Sequence, residues 1–103
     1  MQDVVIHKIL LGYDGSEGSE KAADLAISLA QRYGSAVIIC HAFGNMPMTA
    51  KPSEVRRLVN PVLERLIKLG IKAEVAIPDE LPAQGILRAA DDNEVDLIVM
   101  GSR

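Results

Sequence analysis

Four short apolar runs alternate with longer stretches in which apolar residues recur every three to four positions, an alternation that predicts strand, helix, strand, helix, strand, helix, strand. The runs are residues 7–12, 36–43, 72–77 and 96–100. Between the first two, Ala22, Leu25, Ala26, Leu29, Ala30 and Tyr33 make one helical stripe, with Ser16 or Ser19 as N-cap and Gly34 as the stop. A second stripe comprises Val55, Leu58, Val59, Val62, Leu63, Leu66 and Leu69; Ser53 is its candidate cap, and Gly70 closes it beside Lys68, a cation suited to a helix C-terminus. Pro61 lacks an amide donor and is expected to kink or divide this helix, with Asn60 capping a second segment. A third, shorter helix spans residues 82–93, with Pro82 in its first turn and Ile86, Leu87 and Ala90 facing inward.

This order predicts an α/β fold with right-handed crossovers and a parallel sheet. Leu97, Ile98, Val99 and Met100 read as a strand covered on both faces. Ligands of such sheets bind at the carboxyl ends of the strands, which directs attention to residues 12–16, 40–43, 77–80 and 100–103.

Length and composition change the picture little. The 103 residues suit a single domain, residues 1–103, and the net charge of −3, with scattered lysines and arginines, offers no basic track for nucleic acid or an anionic membrane. Arg56, Arg57 and Lys51 read as a solvated helix face, and Met46-Pro47-Met48 as loop packing. No run approaches the roughly 18 apolar residues of a membrane span, and the start reads as mature and soluble. Cys40 is the single cysteine and lies in an apolar run, which fits a buried thiol in a reducing cytoplasm.

The candidate chemistry is sparse. Glycines at 12, 15 and 18 match neither the dinucleotide fingerprint nor a phosphate loop ending in Gly-Lys-Ser/Thr. Asp14 and Glu17 suit the positive end of a helix but would repel a phosphate there, so a bound nucleotide would meet Asp14 through its base or ribose. The alternative is that Asp14-Gly15-Ser16 is simply a tight turn and helix cap. His7, Cys40 and His41 have no recognisable metal-ligand spacing, and Ser16, Ser19 or Ser102 with either histidine makes no recognisable triad.

Residues 8–16, Lys-Ile-Leu-Leu-Gly-Tyr-Asp-Gly-Ser, and 96–103, Asp-Leu-Ile-Val-Met-Gly-Ser-Arg, resemble the universal stress protein family, and the likeness extends through Cys40-His41-Ala42 and the leucine-rich second helix. The resemblance implies a three-layer, Rossmann-like sandwich of the adenine nucleotide alpha hydrolase type, with strand order 3-2-1-4-5, in a cytoplasmic homodimer. It also implies a stress-response module that binds ATP or another adenine nucleotide, with or without magnesium, and hydrolyses it weakly if at all. By position, Gly12, Tyr13 and Asp14 would meet the adenosine and Ala42 the base pocket. Met100 and Gly101 would contact the ribose and open the phosphate loop, G-x2-G-x9-G-S/T, with Ser102 and Arg103 as the next two residues.

Only the first glycine of that loop is present, so the resemblance implies a C-terminally incomplete domain lacking a last helix and fifth strand. At ordinary element lengths these need about 30 residues. An apolar edge at residues 97–100 would otherwise stand unpaired. Two other readings are a non-nucleotide dimeric interaction module of the same fold and a receiver-like phosphoacceptor pairing Asp14 with Asp79. The implied strand order disfavours the second, because strand 2 would separate the two carboxylates.

Overall fold

The computed structural model describes residues 5–41, 52–77 and 82–101. Strands β1 (Lys8–Tyr13), β2 (Ala36–His41), β3 (Ala73–Ala76) and β4 (Leu97–Met100) alternate with helices α1 (Glu17–Tyr33), α2 (Pro52–Lys68) and α3 (Pro82–Asp92). The strands form one parallel sheet in the order β3-β2-β1-β4. This is the α/β arrangement expected from the alternation of runs and stripes.

The order decides which face each helix covers. Two successive steps, β1 to β2 and β2 to β3, run the same way across the sheet, so right-handed crossovers put α1 and α2 on one face. The step from β3 to β4 runs back, and α3 takes the other. The buried residues divide accordingly: Ile9, Leu11, Tyr13, Val37, Ile39 and Val99 pack with α1 and α2, whereas Leu10 and Cys40 pack with Ile86 and Ala89 of α3. β1, central and covered on both faces, is apolar at consecutive positions for that reason.

Local chemistry sets the helix ends. Ser16 is the N-cap of α1, its hydroxyl accepting from the Ser19 amide at 3.2 Å. Gly34 ends the helix in the left-handed region at φ 67°, and its amide bonds back to the Ala30 carbonyl. At the opposite end of the sheet, the Asp96 carboxylate accepts from the amides of His7 at 2.8 Å and Lys8 at 3.1 Å, and its own amide donates to the Lys8 carbonyl at 2.9 Å. Asp96 thereby aligns β4 against β1 before the first ladder pair, Ile9 with Leu97.

Several expectations are corrected. Pro61 lies inside α2 without dividing it, so Asn60 caps nothing. The carbonyl left without an amide is that of Arg57, on the same exposed side as Pro61, where water can replace the lost bond. Ser53 lies within the first turn of α2, one residue after its start. Leu25, Leu69 and Leu87 do not face the core and are 52%, 49% and 65% exposed. β4 is covered chiefly on its α1 side: Val99 is buried, while Ile98 and Met100, on the α3 side, are 38% and 53% exposed. Residues 42 and 43, expected in the second strand, lie outside the described residues.

Candidate functional site

The carboxyl ends of β2, β1 and β4 meet at one edge of the sheet, where Gly12 lies in register between Cys40 and Met100. A Cβ at Gly12 would come within 3.1 Å of Met100 Cγ and 3.6 Å of Ile86 Cδ1, so glycine lets three elements close together here. The strand order reverses between β1 and β4, and a crevice at such a switch point is where sheets of this kind take ligands.

Tyr13 ends β1 with its ring in the α1/α2 core, 3% exposed, and its hydroxyl bonded to the Glu20 carboxylate. Burial, and then the Glu20 carboxylate, raise its pKa, so the phenol stays neutral. The side chain is thus spent on the core, leaving the main chain as the part of Tyr13 available to a ligand. Its register partner His41 is buried on the same face. Loss of solvent lowers the imidazole pKa, against the opposing pull of the Tyr13 main chain and the Asp14 charge.

Asp14 follows β1, half-buried, and its Oδ1 accepts from the Ser16 amide at 2.9 Å. The tight-turn reading of residues 14–16 therefore holds at the level of structure, and it also holds the carboxylate at the strand end. Gly15 has φ +81°, and a Cβ there would approach Leu58 Cδ1 to 2.8 Å, so the turn needs glycine twice over. Cys40 faces α3, and burial pushes its thiol up to about 11, which leaves little thiolate for nucleophilic chemistry.

The structure brings together Gly12, Tyr13, Asp14, Met100 and Gly101 of the expected site. Ala42, Ser102 and Arg103 lie outside the described residues, as does Asp79. β2 stands between β1 and β3, so the carboxyl ends of β1 and β3 are not neighbours. Among the described residues no group of three His, Cys, Asp or Glu side chains gathers as a metal site would require. An open cleft of about 630 Å³ runs between the first turns of α1 with its cap Ser16 and the end of β4, lined by Glu17, Lys21, Leu25, Val99, Met100 and Gly101.

The pattern of the universal stress protein family matches residues 6–103. The chain belongs to the universal stress protein family. A universal stress protein of Thermus aquaticus, from the 3′ region of a QAH/OAS sulfhydrylase gene, is 35% identical over 92% of this chain and 76% of its own length. The solved structure of the hypothetical protein MJ0577 superposes with a TM-score of 0.83 at 26% identity, covering 97% of this chain and 77% of that one. Two structures share the universal stress protein fold at lower identity. A universal stress protein in complex with cAMP has a TM-score of 0.75 at 19% identity, covering 93% of this chain and 76% of that one. A family member from Arabidopsis thaliana with AMP bound has a TM-score of 0.70 at 16% identity, over 93% and 76%.

Two contributors escape a reading of periodicity. Glu20 lies in the first turn of α1, and only the tertiary path back to Tyr13 reveals its bond to the phenol. Gly18 looks like a third scattered glycine, yet its main chain lies directly against Gly101.

Proposed function

We propose that this universal stress protein binds an adenine nucleotide, ATP above all, at the carboxyl ends of β1, β2 and β4, and acts as a stress-response regulatory module rather than as an efficient enzyme. The observation that carries the reading is Asp14: a half-buried carboxylate at the switch point, held by the Ser16 amide beside Gly12. A carboxylate there can accept hydrogen bonds from ribose hydroxyls or a base amino group, and it keeps phosphates away from the start of α1. The relatives with bound AMP and cAMP support the adenosine half of the proposal.

Gly12, the Tyr13 main chain, Asp14, Ala42 and Met100 would receive the nucleoside, and Gly101, Ser102 and Arg103 would lead toward the phosphates, with magnesium as a companion of the triphosphate. The family likeness also supports a cytoplasmic homodimer. Thermal denaturation with ATP, AMP and cAMP tests the reading. A nucleotide at a hundredfold its Kd stabilises the fold by about 2.7 kcal/mol. An unchanged Tm at millimolar concentrations of all three would contradict it.

The exposed side chains of Leu87, Ile98 and Met100 favour a second reading, a module that works through protein contacts instead. It predicts association visible by light scattering, indifferent to nucleotide and weakened by Ile98→Lys.

A further inference from the structure

Gly101 leaves β4 and lies against the first turn of α1. A Cβ on it would overlap the Gly18 carbonyl group and stand 2.6 Å from the Ser19 nitrogen. These are main-chain atoms of a helix, which cannot swing aside as the end of a flexible side chain can. The φ of Gly101 is outside the left-handed region, so glycine is needed here for space and not for backbone conformation. By contrast, a Cβ on Gly34 or Gly70 would meet nothing within 4 Å, and those glycines serve their positive φ alone.

The turn beneath Gly101 is itself fixed. The Ser19 amide donates to Ser16 Oγ, the Ser19 hydroxyl to the Ser16 carbonyl at 2.9 Å, and the Glu20 amide to the same carbonyl at 3.0 Å. The Ser16 amide in turn donates to Asp14 Oδ1. A run of hydrogen bonds therefore leads from the Asp14 carboxylate through Ser16 to Ser19, beside which Gly101 lies too close to admit a Cβ.

We propose that Gly101 is a positioning residue whose main chain seats on Gly18 and Ser19, setting the distance between the carboxylate that receives the nucleoside and the end of β4. This rests on the adenine-nucleotide reading and adds a role for Gly101 that needs no contact with ligand. The seat also occupies the start of α1, so that helix end supports Gly101 instead of holding phosphate itself. Any side chain at residue 101 pushes the end of β4 off the helix and away from Asp14.

Amide hydrogen exchange and nucleotide titration of the unmodified protein and Gly101→Ala test the seat. In the variant, exchange at Ser19 should rise roughly tenfold relative to Ala26 in the middle of α1. The ATP dissociation constant should weaken by about the same factor, a coupling of ordinary size. Unchanged Ser19 exchange in a folded Gly101→Ala protein overturns the proposal. If the variant does not fold, the unmodified protein decides: added nucleotide must slow exchange at Ser19 and Gly101 together, and slowing at only one of them overturns the seat. If the unmodified protein binds no nucleotide, the functional reading fails, while Ser19 exchange in the variant still reports on the seat.

Discussion

Tyr13 and His41 stand opposite each other in parallel register at the carboxyl ends of β1 and β2, both buried on the face covered by α1 and α2. The phenol reaches Glu20 and stays neutral, and the imidazole has lost nearly all its solvent. The pair plugs the core directly beneath the turn that carries Asp14. Stability and site geometry are therefore linked at this point.

His41 should make the protein acid-sensitive. Its pKa lies below the ordinary 6.5 because burial disfavours the charged ring. Above 6.5 both folded and unfolded chains hold it neutral and there is no effect. As the pH falls below that value the unfolded chain takes up a proton that the folded chain refuses, and stability declines until the lower, folded pKa is passed. Urea unfolding at pH 7.5, 6.5 and 5.5 should show this decline, and His41→Gln should flatten it. An equal slope in both proteins would place the acid sensitivity elsewhere.

Gly15 and Gly34 both have positive φ, but their surroundings differ. Gly34→Ala meets open space and should cost about 1–2 kcal/mol, the penalty of a left-handed alanine. Gly15→Ala carries that penalty and must also displace Leu58, so it should cost more and lower nucleotide affinity as the Asp14 turn shifts. Equilibrium unfolding of the two variants, side by side, checks the order.

The two leucines Leu66 and Leu87 look alike in sequence and should behave differently. Leu66 is fully buried under α2, and Leu66→Ala should cost about 2–5 kcal/mol. Leu87 is 65% exposed on α3, and Leu87→Ala should fall within about 0.5 kcal/mol of the unmodified protein. Similar losses at both would show that α3 is covered in solution.

Asp96 should titrate at unusually low pH, because the amides of Lys8 and His7 stabilise its carboxylate. A depressed folded pKa means that its contribution is present above the ordinary value of 3.8 and is lost as the pH falls through the folded one. Asp96→Ala should lower the Tm at neutral pH and abolish that acid-limb contribution. An Asp96 carboxyl that titrates normally by NMR would contradict the clamp.

Much of this was legible in the sequence, for physical reasons. The caps Ser16 and Gly34 are read directly, since a hydroxyl satisfying an amide and a residue tolerating positive φ are local requirements. Apolar runs between helical stripes reveal a parallel sheet because both faces of its inner strands are buried. Leu25 and Leu87 lie outside the core although they sit on the apolar stripes, because periodicity reports which residues share a helix face and says nothing of how far the neighbouring layer extends. Pro61 fails to divide α2 because the Arg57 carbonyl lies on an exposed side of the helix, where water can replace the lost bond, and exposure is not legible from a proline alone. Asp14 was visible as a carboxylate at a strand end, whereas the approach of Gly101 to Gly18 joins residues far apart in the chain and emerges only from the packing of β4 on α1.

Isothermal titration of AMP and ATP into the unmodified protein and Asp14→Asn tests the central claim most directly. The account predicts saturable binding of both nucleotides at one site, weakened roughly tenfold or more by Asp14→Asn because hydrogen bonds to the charged carboxylate are lost. Equal affinity in the two proteins, or no heat of binding at millimolar nucleotide, would contradict it.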